Sequence, residues 1–133
     1  MRYFLDTNII IYAMKDTYPA LKARFMGIPA PSIAIPSVVL AEIEYGARKS
    51  RDYEETIRRY RAFTDVFDHA DVTPQTALCY GEIRAALEKT GMPIGANDLL
   101  IAATVLSEGG ILVTHNTREF ERVAGLRIED WTL

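Results

Sequence analysis

Short apolar runs alternate with longer helical stretches along this chain, and no Asn-Gly or Asp-Gly turn joins two of those runs into a hairpin. Strands that do not fold straight back must cross over, and crossovers that carry helices leave the strands parallel. The pattern predicts an α/β fold on a parallel sheet. Arg2 to Leu5 is the first strand and stops at Asp6-Thr7-Asn8. Ile9 to Met14 then reads as a helix with Asp6 or Thr7 as its cap, and Pro19 to Met26 as a helix that starts at proline and ends at Gly27. Ile33-Ala34-Ile35 is a second strand, with Ser37 placed to cap a helix over Val38 to Arg48. An amphipathic stretch from Tyr53 to Val66 precedes a weak third strand at Asp71-Val72-Thr73. Thr73 or Thr76 caps the next helix, which runs to Lys89 and is stopped by Gly91 and Pro93. Asn97 to Leu106 is apolar nearly all round, which predicts a buried helix, ended by Gly109-Gly110. Ile111-Leu112-Val113 is the clearest strand; a short helix over Thr117 to Val123 and a last strand at Arg127 to Glu129 follow.

With 133 residues there is room for one domain, 1–133, and a core large enough to need no staples. Apolar residues at 49% and charged residues at 25% exclude a disordered tail or a fibrous rod. Cys79 is the only cysteine, so there is no internal disulfide, and the cytoplasm is the expected location. The opening MRYFLDTNIIIYAMKD starts like a signal peptide, but Asp6 and Asn8 break its apolar run and no small-residue cleavage site follows. No stretch is long and apolar enough to predict a membrane span. A net charge of −3 excludes a strongly basic nucleic-acid coat but not a local basic stripe.

Parallel sheets place ligands beyond the carboxyl ends of their strands. Asp6 stands at the end of the first strand and Asn116 just past the Ile111–Val113 strand, so the two can be neighbours. Taken singly, Asp6 is equally a helix cap and Asn116 a turn residue. Glu42 and Glu44 share a helix but point about 200° apart. Glu44 has Arg48 at i,i+4 and reads as a surface residue, whereas Glu42 shares its face with Val38, Val39 and Tyr45. A carboxylate there must snorkel to water or be compensated by a cation. Asp98 opens the most apolar helix; the helix dipole favours it, and it is carried to the edge of the core. Glu119 lies three residues beyond Asn116.

Asp6, Glu42, Asp98 and Glu119 thus come from separate elements that can converge on one rim. Carboxylates without Cys or His partners suit a hard, oxygen-seeking cation, Mg²⁺ or Mn²⁺, and not zinc. His69 and His115 are too few and too isolated for a zinc site or a triad; His115 sits beside the rim, where it could touch substrate, and otherwise reads as a turn histidine. No phosphate-binding G-x-x-x-x-G-K-[ST] motif and no dinucleotide fingerprint is present. A receiver-like domain would need paired acids after the first strand and a late lysine; Asp6-Thr7-Asn8 and V-T-H-N supply neither.

Four segments carry a resemblance: Asp6-Thr7-Asn8 after the first strand, P-S-V-V-L-A-E-I-E-Y-G around Glu42, P-I-G-A-N-D-L-L-I-A-A around Asp98, and V-T-H-N-T-R-E-F-E-R-V. In this order, and with the closing I-E-D-W, the chain resembles the PIN-domain ribonucleases, and among them the VapC toxins of toxin–antitoxin pairs. The resemblance implies a PIN domain with four or five parallel strands in order 3-2-1-4-5, flanked by helices. It implies Mg²⁺-dependent endonucleolytic cleavage of RNA, a homodimer, and inhibition by a VapB antitoxin. The V-T-x-N-T-R-E-F-E-R-V wording resembles the subgroup that cuts initiator tRNA in its anticodon region.

Carried over residue by residue, the first three acids fall on Asp6, Glu42 and Asp98, with Asp6 and Asp98 as metal ligands. The family often has a fourth Asp where this chain has Asn116, and Glu119 is the candidate replacement. Thr7, Asn8 and Thr114 are expected to position carboxylates or phosphate. The departure at Asn116 leaves a second reading open, a catalytically inactive PIN module that binds RNA or protein. Arg48, Lys49, Arg51, Arg58, Arg59 and Arg61 are the densest basic cluster, either a path for RNA or a solvated face balanced by Glu54 and Glu55.

Overall fold

A computed structural model describes residues 1–133. Its sheet has five strands: β1 (Tyr3–Leu5), β2 (Ile33–Pro36), β3 (Asp68–Ala70), β4 (Ile111–Val113) and β5 (Arg127–Glu129). All pairings are parallel and the order is β3-β2-β1-β4-β5. The crossovers carry α1 (Thr7–Met14), α2 (Pro19–Gly27), α3 (Ser37–Arg48), α4 (Tyr53–Thr64), α5 (Pro74–Lys89), α6 (Ala96–Glu108) and the short α7 (Thr117–Phe120). A 3-10 turn over Ala30–Ser32 leads into β2.

The central strands read as continuous apolar runs because helices cover both faces. Phe4, Leu5, Ile33, Ala34, Ile35, Leu112 and Val113 are all buried. The all-round apolar segment behaves as expected: Leu99, Ile101, Ala102, Ala103, Thr104 and Val105 of α6 are buried. Gly109, in the left-handed conformation with φ 66°, ends that helix. Gly110 follows, and a Cβ there would run into the Phe4 ring and lie 2.9 Å from the Arg2 carbonyl oxygen. Its lack of a side chain lets the α6–β4 connection press against β1.

Three local expectations are corrected. The third strand is Asp68–Ala70, not Asp71–Thr73; it pairs through Ala34↔Asp68 and Pro36↔Ala70, and Thr73 is instead the cap of α5 in a reciprocal box with Thr76. The mixed polarity of Asp-His-Ala hides an edge strand, which needs only one buried residue, here Ala70. Ser37 does not cap α3: Pro36 holds that position, and the Ser37 hydroxyl donates to Asp71 at 2.7 Å. Glu44 does not pair with Arg48. It accepts from Arg61 and from the Tyr53 hydroxyl on α4, while the Arg48 guanidinium lies over the Tyr53 ring.

Candidate active site

β1 and β4 lie side by side, so their carboxyl ends deliver Asp6 and Thr114 to one place. Asp6 is buried at 6% exposure. It caps α1 by accepting from the Ile9 amide at 2.9 Å, and its own amide donates to the Val113 carbonyl. Burial pushes its carboxyl up to about 6; hydrogen bonds from Thr114 and Ile9 oppose the rise, and the charges of Glu42 and Asp130 add to it. Both readings of Asp6 therefore hold at once, cap and rim carboxylate.

Glu42 reaches the same rim from α3. It accepts from the Thr7 hydroxyl at 2.5 Å and from the Asn97 amide at 3.3 Å. Asp98, in the first turn of α6, is half-buried and also pushed up to about 6. Burial is the main cause, followed by the negative charges of Glu119, Glu42 and Asp6, and by a hydrogen bond shared with Glu119. Glu119 on α7 is held by the Asn116 side chain, which donates to it at 2.7 Å. The Asn116 backbone N–H in turn donates to the buried Thr114 hydroxyl at 2.9 Å. Asn8 stands exposed at the start of α1.

The structure therefore brings Asp6, Glu42, Asp98 and Glu119 together from four elements, with Thr7, Thr114 and Asn116 as their hydrogen-bond partners. The carboxylates do not close into a ready-made shell of three ligands. Glu42 is turned onto Thr7 and Asn97, and Glu119 onto Asn116. The donor set is all oxygen, and the charges of Glu119, Glu42 and Asp6 that add to the effect of burial on Asp98 are what a hard divalent cation would offset.

A cleft of about 290 Å³ leads away from Thr7 and Glu42 past Lys15 to Ser50, Thr56 and Tyr60. The basic cluster is largely engaged within the protein. Arg58 pairs with Glu55 and Arg61 with Glu44, and Lys49 lies over the Tyr45 ring. Only Arg51 and Arg59 of the six have no ion-pair or ring partner.

The PIN-domain family model matches residues 3–126. This chain belongs to the PIN-domain family. It is 41% identical over 132 residues, 99% of each chain, to a Shigella flexneri protein named tRNA(fMet)-specific endonuclease VapC. It is 43% identical over 131 residues, 98% of each chain, to ribonuclease VapC2 of Haemophilus influenzae. Among solved structures it is similar, with a TM-score of 0.92 and 37% identity over 98% of this chain and 99% of the other, to a chain of the VapBC2 complex of Rickettsia felis bound to a promoter DNA fragment. It is a PIN-domain ribonuclease of the VapC group, and its strand order is the one the resemblance implied.

Sequence reasoning missed Asn97, Asp130 and Thr132 at this PIN domain's rim. Asn97 holds Glu42, a role its place beside Asp98 could have suggested. Asp130 adds charge near Asp6 although it follows the last strand. It accepts from the Thr132 hydroxyl and from His115 Nδ1. Burial alone would raise the Asp130 carboxyl, but these hydrogen bonds outweigh it and hold it below its ordinary range. His115 is thus not a free turn histidine. Nothing in the spacing of His115, Asp130 and Thr132 announced that they meet.

Proposed function

We propose that this chain is the toxin of a toxin–antitoxin pair, a single-domain endoribonuclease that hydrolyses a phosphodiester in the anticodon region of initiator tRNA. The observation that carries the reading is the convergence of Asp6, Glu42, Asp98 and Glu119 beside one another at the strand ends, with two of them pushed up to about 6. The substrate class rests on the relative named for tRNA(fMet) at 41% identity. The partner, a VapB-type antitoxin, rests on the VapBC complex. A tRNA-cleaving enzyme works where tRNA is, which places it in the cytoplasm, and a homodimer is its working form.

Asp6 and Asp98 would hold a divalent cation, Mg²⁺ or in its place Mn²⁺. Bound there, such an ion lowers the pKa of a water and offsets charge on the phosphate. The chain's own residues do the rest. Ile9 and Thr114 fix the Asp6 carboxylate, and Thr7 and Asn97 fix Glu42. Glu42 orients the attacking water, and Glu119, steadied by Asn116, accepts its proton. Asn8, exposed beside Thr7, is placed to touch the substrate backbone. Water rather than the 2′-hydroxyl attacks, so the products carry 5′-phosphate and 3′-hydroxyl ends.

Purified protein is incubated with initiator and elongator tRNAs, with Mg²⁺ and with chelator. Metal-dependent cleavage of the initiator tRNA in its anticodon loop is expected. No cleavage with tight RNA binding would favour the inactive module; cleavage that survives chelation would refute the metal site.

A further inference from the structure

We infer that His115, with Tyr12 and Tyr18, forms a subsite that stacks one unpaired nucleobase of the RNA next to the scissile phosphate. The inference rests on the ribonuclease reading and goes beyond it by naming the residues that grip a base. His115 directly follows the buried Thr114 where β1 and β4 end side by side, and it contacts Asp130, whose charge reaches the Asp6 carboxylate. Its side chain is 43% exposed, yet it is not loose. Nδ1 lies 3.0 Å from Asp130 Oδ2 and 3.0 Å from Thr132 Oγ1, and the Thr132 hydroxyl and amide clamp the other Asp130 oxygen. With Nδ1 held inward by Asp130, Nε2 is the ring's outward nitrogen and has no partner in the chain.

Two tyrosines brace the imidazole, Tyr12 at an interplanar angle of 81° and Tyr18 at 45°. The Tyr18 ring centroid is 5.5 Å from that of His115, Tyr12 is 6.1 Å away, and the two tyrosines pack edge to face at 5.1 Å. Three mutually braced rings, each partly accessible, are an unusual surface to leave beside a cluster of acids. Protein–RNA recognition of unpaired nucleotides uses aromatic and imidazole rings in this way, because every base has a face to stack and an edge to bond. The Asp130 carboxylate held against the ring disfavours a second phosphate at this spot, so the base rather than the backbone is the ligand. Asp130 and Thr132 are positioning residues that fix the ring's orientation.

The test is a cycle of binding measurements. Asp98→Asn protein, which binds without turnover, is titrated with a fluorescent hairpin carrying the anticodon loop of initiator tRNA. Single abasic nucleotides are placed in turn at the two positions on either side of the cut. His115→Ala is expected to weaken binding about ten-fold, and one abasic position to do the same. The two losses should not add, because they remove one contact from opposite sides. His115→Phe, which can still stack, should recover most of the affinity, and Asp130→Asn should weaken binding with the fold intact by thermal unfolding. Additive losses at every position, or no loss with His115→Ala, would overturn the inference. So would additive losses accompanied by a weakened antitoxin complex, which would assign the rings to the antitoxin. Cleavage by the unaltered protein with Mg²⁺ is read separately: its absence beside an intact cycle would refute the nuclease and leave the base subsite standing.

Discussion

Replacing Asp6 with asparagine should make this protein inactive and more stable at the same time. Burial raises the Asp6 carboxyl from its ordinary 3.8 to about 6, so keeping it ionised in the fold costs about 3 kcal/mol at pH 7.5. Asparagine carries no charge and is an equally good helix cap, so the bond from the Ile9 amide survives the change. The sign follows from the direction of the shift. Between about pH 4 and pH 6 the folded protein keeps a proton that the unfolded chain has released, so stability falls as pH rises through that window. The advantage of Asp6→Asn should therefore be largest above pH 7, about 3 kcal/mol or roughly 10 °C in Tm for a chain of this length. By pH 4 it should shrink to about 0.5 kcal/mol. Scanning calorimetry at both pH values measures it, with RNA cleavage assayed on the same samples. Mg²⁺ at ten times its Kd should stabilise the unaltered protein by about 1.4 kcal/mol and the variant hardly at all. An Asn variant no more stable at pH 7.5, equally stabilised at both pH values, or still active would refute the argument.

Glu119→Gln should lower turnover by at least ~10²-fold, and Asn116→Asp should be tolerated alone and partly rescue it, since that change returns a carboxylate to the turn after β4. Full activity of Glu119→Gln would reduce Glu119 to a bystander. Neutralising Asp6 and Asp98 together should weaken the hold of a VapB-type antitoxin, because a pocket of carboxylates attracts an arginine fork; calorimetric titration with unchanged affinity would place inhibition elsewhere. Gly110→Ala should destabilise by about 1–3 kcal/mol in denaturant unfolding, as its methyl meets the Phe4 ring and the Arg2 carbonyl. Glu44→Gln, which loses surface bonds to Arg61 and Tyr53, should leave cleavage unchanged, in contrast to Glu42→Gln two residues away.

What the sequence made legible followed from short-range rules. Crossover spacing gave the parallel sheet, and the all-round apolar pattern gave the buried α6. Asp6 and Asp98 stood out because each closes or opens an apolar element, where a carboxylate must be explained. Asn116 and Glu119 were legible as a pair because one helical turn joins them. Contacts between distant segments were not legible. Glu44 has Arg48 within a turn, yet Arg61 on α4 takes it, since α3 packs beside α4. β3 was misplaced by three residues because an edge strand carries almost no apolar signal. His115, Asp130 and Thr132 meet only because β4 and β5 end side by side.

The first strand made is also the middle of the sheet. β1 is flanked by β2 on one side and β4 on the other, and β4 begins only at Ile111. A ribosome producing this chain therefore exposes Asp6 early but gives it no neighbour on its β4 side until most of the protein has been read. The acids are drawn from positions 6 to 119, so no nascent length that stops short of Glu119 can present them together. The rim of acids is thus one of the last features of the fold to be completed along the chain, although its first member is among the first residues made.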